Sequence, residues 1–174
     1  MIDLWRCVGG LAGVIAISIM NHAYAQTSFA PEHPASTDVL SAAAYKDYML
    51  QCAGCHRYDG VGVNHRSVPS FPNSIGLLAR LPAGRDYMIR VPGAAQSHLN
   101  DAELASVLNW IVATYGPQYV LKEFKPFTAS EVASSRPYRF DNVVPIRQEL
   151  SRALKEQGYE LSTYTFGQNG TASD

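Results

Sequence analysis

Cys52, Cys55 and His56 stand together as C-x-x-C-H, and this grouping carries the chemistry of the chain. Two thiols separated by two residues can add across the two vinyl groups of a haem and form thioethers. The histidine that follows at once then lies under the iron as its proximal nitrogen ligand. A thioredoxin-like dithiol would want a strand before the motif within a βαβ unit, whereas the residues ahead of Cys52 read as a helix. A zinc site wants about four ligands. Beyond Cys7 near the N-terminus these are the only cysteines, and His33, His65 and His98 form no second close-spaced pair. The expected cofactor is one covalently attached haem c.

The elements around the motif must hold it rigidly. Thr37 or Asp38 can cap a helix that runs toward Cys52, with Leu40, Ala44, Tyr48 and Met49 near one face. Residues 60–93 are dense in glycine and proline, which predicts loops with short helical turns at 74–80 and 84–90. Asn100 followed by Glu103 reads as a capping box. Leu104, Val107, Leu108, Ile111, Val112 and Tyr115 then form a helical stripe with Trp110 beside it, ended by Gly116-Pro117. Beyond it, residues 118–174 form a C-terminal extension with 7 basic and 7 acidic side chains. Thr128 and Glu131 read as a second capping box for a short helix over 129–135. Pro145 suits the first turn of another over 146–157, with Ile146, Leu150 and Leu154 buried and Gly158 as its stop. No segment carries a clear strand signal, so the fold class is all-α.

The 174 residues carry 14 Lys+Arg and 15 Asp+Glu, a net charge of −1, with 47% hydrophobic residues. That composition suits one or two small globular domains. Near-neutral charge excludes general nucleic-acid binding, which needs a basic face against phosphates. Residues 1–25 read as a secretory signal peptide: Arg6, a 14-residue apolar run from Cys7 to Met20, then Ala23-Tyr24-Ala25 as the cleavage pattern. The run is short of the ~20 residues that span a bilayer, so no stable membrane span is expected after cleavage. Residues 26–36, with two prolines and no periodicity, read as a mobile leader, and 167–174 as a disordered end.

From about Asp38 to Gly116 the chain resembles class I c-type cytochromes: a helix into C-x-x-C-H, a Gly/Pro-rich middle, and a closing helix. The resemblance implies a cytochrome c-like haem domain over 37–117 whose first and last helices cross, with Tyr48 or Ala44 near Leu108 or Ile111. It also implies a proline carbonyl that accepts the Nδ1–H of His56. Pro69 is the best match for that proline and Pro72 the second.

At the place where the family usually has its distal methionine, directly before a proline, this chain reads Val91-Pro92-Gly93. Valine cannot ligate iron. Met88 is the first candidate for the sixth ligand, His98 and His65 are others, and a five-coordinate iron is the remaining alternative. Arg57, Arg66, Arg80, Arg85 and Arg90, offset by only Asp59 and Asp86, make the middle segment basic. One or two of these arginines would bond the haem propionates. The rest would steer an acidic redox partner or form a solvated loop surface. The extension either wraps the haem domain or offers its aromatics to a partner.

The expected function is a periplasmic monohaem cytochrome that carries single electrons, with a redox protein partner such as a periplasmic dehydrogenase. The alternatives are a haem protein with an open distal site for a small ligand, or a fixed haem subunit of a larger oxidoreductase.

Overall fold

The computed structural model describes residues 37–63, 68–119 and 124–162. The signal peptide, the leader, His33, His65, Arg66, Tyr164, Phe166 and the C-terminal end therefore lie outside the described residues.

Helix α1, Thr37–Gln51, runs straight into α2, Ala53–His56, which is the motif itself coiled into one helical turn. Ala44 and Tyr48 are buried, but Leu40 is 54% exposed and Met49 also faces outward. The expected stripe is thus narrower than its four residues. Each i to i+4 step overshoots a full helical turn by about 40°. Leu40 therefore stands well round from Tyr48, beyond the strip that meets the next helix.

Helix α3, Ile75–Leu78, is buried at every position. Gly76 packs so closely against the end of the closing helix that a Cβ there would run into the Gly116 carbonyl. Helix α4, Pro82–Arg90, starts with proline in its first turn, where a missing N–H costs nothing, and buries Tyr87, Met88 and Ile89. A short turn, α5, Pro92–Ala95, leads to α6, Asp101–Tyr115. The capping box expected at α6 is complete. Asn100 Oδ1 accepts from the N–H groups of Ala102 and Glu103, both at 3.0 Å, and the Glu103 carboxylate accepts from Asn100 N–H at 2.8 Å.

Helices α1 and α6 pack against each other as the resemblance implied, with Tyr48, one of the residues expected there, in the contact. Tyr48 lies against Trp110 and Tyr115, with ring centroids 4.9 and 5.8 Å apart, and Tyr45 meets Trp110 at 5.6 Å. Leu108 and Ile111 also line a cavity. The fully buried Tyr48 hydroxyl donates to the Arg57 carbonyl at 2.5 Å, so its burial leaves no polar group unsatisfied.

The extension packs onto this frame, and the described residues form one compact unit. Helix α7, Ala129–Ser135, is capped by Thr128, whose hydroxyl accepts from Glu131 N–H at 3.1 Å. The second half of the expected box is replaced, because the Glu131 carboxylate grips Arg85 through two bonds of 2.8 and 2.7 Å. Arg85 also stacks over Phe127 at 3.9 Å and donates to the Lys125 carbonyl. Asn109 of α6 exchanges both of its amide groups with the Phe127 backbone.

Helix α8, Val144–Glu156, begins two residues earlier than expected, with Pro145 in its first turn. It buries Leu150 and Leu154, while Ile146 is only half-buried and Arg147 is buried instead. Gly158 at φ +83° ends it, and Tyr159 N–H reaches back to the Leu154 carbonyl. Phe127, Val132, Leu150 and Leu154 belong to the same apolar core as Tyr48, Leu77 and Val107. Among the described residues there is no strand, only a bridge between Val63 and Val68, and no helix is long and apolar enough to cross a membrane.

Candidate functional site

One helical turn brings the motif's reactive groups together. Cys55 N–H and His56 N–H both donate to the Cys52 carbonyl, at 3.1 and 2.9 Å. Positions i, i+3 and i+4 share a face of such a turn, so both sulfurs and the imidazole address the same side. All three line a cavity of about 370 Å³. No disulfide joins Cys52 and Cys55, the first half-buried and the second exposed. Burial, with smaller contributions from Asp47 and Cys55, pushes the Cys52 thiol up to about 11, so it is protonated at neutral pH.

His56 is held on both sides. Its ring stacks on Phe71 with centroids 4.0 Å apart and planes at 14°. Burial pulls its pKa down to about 4, partly opposed by the Pro69 carbonyl, which favours the protonated ring. Nδ1 is buried and falls short of a hydrogen bond of full length and angle, so Pro69 acts on it as a nearby carbonyl dipole. The outcome is a neutral imidazole at neutral pH, the form that can give a lone pair to a metal. Pro69 lines the cavity, whereas Pro72 does not.

The rest of the cavity lining comes from separate elements. Met88 of α4 is 2% exposed and lines the cavity, as do Val91, Pro92 and Gly93. Leu104, Val107, Leu108 and Ile111 supply an apolar wall from α6. His98 is exposed and does not line the cavity. The structure thus brings Cys52, Cys55, His56, Pro69 and Met88 to one cavity and leaves His98 outside it.

Three of the arginines expected at the haem edge are committed elsewhere. Arg85 holds Glu131. Arg90 pairs with Asp86 at 2.6 Å, donates to the Tyr138 carbonyl and stacks over Phe140. Arg80 donates to the Tyr119 carbonyl and stacks over Tyr159. Their positive charge braces the extension instead of forming an open basic ring. Arg57, 53% exposed beside Asp59, remains at the surface.

Two cavity residues had no recognisable signal in the sequence. Phe71 lies in an irregular loop, so periodicity says nothing about it. Arg147 sits on the extension, where residues i+3 and i+7 from it are Leu150 and Leu154. An arginine on an apolar helix face was the one available hint.

The site fits a haem group of the c type. Two thiols share a face with a buried neutral imidazole, a thioether sulfur lines the same cavity, and its walls are otherwise mostly apolar. No protein-family model matches the chain. Cytochrome c-552 of Thermus thermophilus is 36% identical to it over 107 aligned residues, taking in 49% of this chain and 79% of that protein. A second cytochrome c-552 from the same species is likewise 36% identical over 107 residues, with 70% of that protein covered. The chain belongs to the c-type cytochromes, electron carriers whose cofactor is haem c.

Proposed function

We propose that this protein is a class I monohaem cytochrome that carries single electrons in the periplasm. The observation that carries the reading is that Cys52, Cys55, His56 and Met88 all line one cavity. Cys52 and Cys55 would hold the haem through thioethers, and His56 and Met88 are the residues that would hold its iron. The bound haem supplies a one-electron ferric–ferrous couple.

The chain's own residues set the conditions for that couple. Phe71 stacks on the His56 ring with the Pro69 carbonyl near it, and α6 gives the cavity an apolar wall. An apolar wall limits solvent reorganisation between oxidation states, which favours fast electron transfer. A thioether opposite an imidazole also raises the potential. Export rests on the charged, apolar and small-residue pattern of residues 1–25. The partner is a redox protein, with a periplasmic dehydrogenase as the class expected from resemblance.

The rival reading, an open iron that binds a small ligand, draws on valine at position 91. Buried Met88 on the cavity wall supports the electron carrier instead. Visible and near-infrared absorption of the matured protein, with and without CO, separates the two. A low-spin ferric spectrum with the sulfur-to-iron band, unmoved by CO on reduction, is expected. A high-spin ferric spectrum with rapid CO binding would overturn Met88 ligation and favour the open site.

A further inference from the structure

Residues 136–140 of the extension are tied to both ends of the segment between α4 and α6. At one end, Phe140 N–H donates to the carbonyl of Arg90, the last residue of α4, at 3.0 Å. Arg90 returns a side-chain bond to the Tyr138 carbonyl and stacks over the Phe140 ring. At the other end stands Arg136. Its Nε donates to the Ala95 carbonyl at 2.9 Å, Nη1 to the Leu99 carbonyl at 2.7 Å and Nη2 to the Ser97 carbonyl at 2.6 Å. Nη1 also pairs with Asp101, in the first turn of α6, at 3.1 Å, and Nη2 makes a longer bond of 3.4 Å to the Ser97 hydroxyl. All five guanidinium N–H groups have an acceptor, and Asp101 answers the charge.

One side chain therefore holds three alternate carbonyls of the same short stretch. Helix α5 is a single turn, and the carbonyls at its end and beyond it have no helical ladder to join. The same stretch borders the cavity, which Val91, Pro92, Gly93, Ala94 and Ser97 all line. Ser97 joins the two roles, since its hydroxyl donates to the Ala94 carbonyl at 2.9 Å while its own carbonyl accepts from Arg136. Met88 stands two residues before Arg90, where the segment begins. The segment cannot swing away from the cavity without breaking the bonds to 136–140.

We infer that Arg136 is a positioning residue that holds 90–99 closed along the cavity, so that the C-terminal extension governs how readily an outside ligand reaches the haem iron. This rests on the haem reading above. A guanidinium suits the task because its donors point in fixed directions within one plane. A lysine ammonium is a compact charge on a flexible stem and cannot span the carbonyls of 95, 97 and 99 together. Bonds from a charged donor are also stronger than neutral ones. Imidazole added from solution takes the iron only after the Met88 sulfur has left it and the segment has moved. Its limiting rate therefore reports the opening.

The test uses matured holoprotein carrying Arg136→Gln, Arg136→Lys or, as a control for stability alone, Leu154→Ala. Pyridine haemochrome analysis of the unaltered protein comes first. Absence of thioether-bound haem there would sink the haem reading itself, and amide exchange across 90–99 would still judge the clamp. Stopped-flow mixing of the ferric protein with imidazole then gives the limiting rate at saturation, and hydrogen exchange read by mass spectrometry follows 90–99. Arg136→Gln is expected to raise the limiting rate about tenfold or more, the scale of one charge-assisted hydrogen bond. Exchange should rise at 90–99 and stay low in α1 and α2. Arg136→Lys keeps a charge beside Asp101 and loses the fork, so a smaller rise is expected. Leu154→Ala should lower thermal stability and leave the limiting rate in place. An unchanged rate in Arg136→Gln overturns the inference, as does an equal rise in Leu154→Ala. So does an imidazole rate that never saturates in the unaltered protein, because no opening step then limits binding. If Arg136→Gln does not mature, unchanged rate and exchange in Arg136→Lys overturn it on their own.

Discussion

The two walls of the cavity are made in opposite ways. The motif wall comes from five consecutive residues in one helical turn, backed by Phe71 and Pro69 a short loop away. The far wall draws Met88 from α4, Val91 to Gly93 from the turn after it, an apolar face from α6 and Arg147 from α8. A local turn fixes its own geometry through backbone bonds. A wall assembled from four elements holds its shape only while those elements stay packed, and here the extension does that packing. Haem attachment and haem tuning should therefore fail separately.

The largest effect belongs to the local wall. Cys52→Ala is expected to lose nearly all stable covalent haem and most folded yield, because one thioether and the filled core go together. Acid-acetone extraction followed by haem quantification checks this, and normal residual haem would refute the role of Cys52. Met88→Leu comes next and breaks only the far wall. Haem content should stay normal while the potential falls and the ferrous iron takes up CO, since axial thioether ligation raises the potential. A potential unchanged from the parent would leave Met88 as cavity packing.

Leu154→Ala sharpens the comparison at a distance from both ligands. Leu154 is fully buried in the shared core. Truncating such a leucine typically costs about 2–5 kcal/mol, so the midpoint of denaturant unfolding should fall by a corresponding amount. Covalent haem should be retained, because the motif turn does not depend on α8. Loss of haem together with stability would mean that the two walls are not separable.

The same contrast explains what was legible in the sequence. The C-x-x-C-H motif, the α6 capping box and the proline and glycine bounds of α8 are written in residues a few positions apart, where spacing alone implies geometry. Met88 was legible as a candidate by elimination, since Val91 stands where a ligand was expected. The ties between the extension and the haem domain were not legible. Arg85 to Glu131 and Arg136 to the carbonyls of Ala95, Ser97 and Leu99 join residues tens of positions apart. From sequence, Arg85 and Arg90 could equally bond a propionate, steer a partner or stand in water, because charge shows in composition and its partner does not. Leu40 failed for the opposite reason. Its apolar side chain matched the stripe, but it stands round the helix from Tyr48 and is exposed.

The smallest predicted effect tests the extension's own local code. Thr128 accepts from Glu131 N–H, and Glu131 in turn holds Arg85 of α4. Thr128→Ala removes the cap and should cost about 1 kcal/mol of stability, the usual value for an N-cap hydroxyl. If the cap serves only α7, hydrogen exchange should rise in the first turn of that helix and nowhere else. If the cap also aims Glu131, the Arg85 pair loosens and exchange should rise at α4 as well, the helix that carries Met88. The second pattern would place a short exposed helix start in the extension among the determinants of the far wall. It would leave the motif turn protected, as its local construction requires.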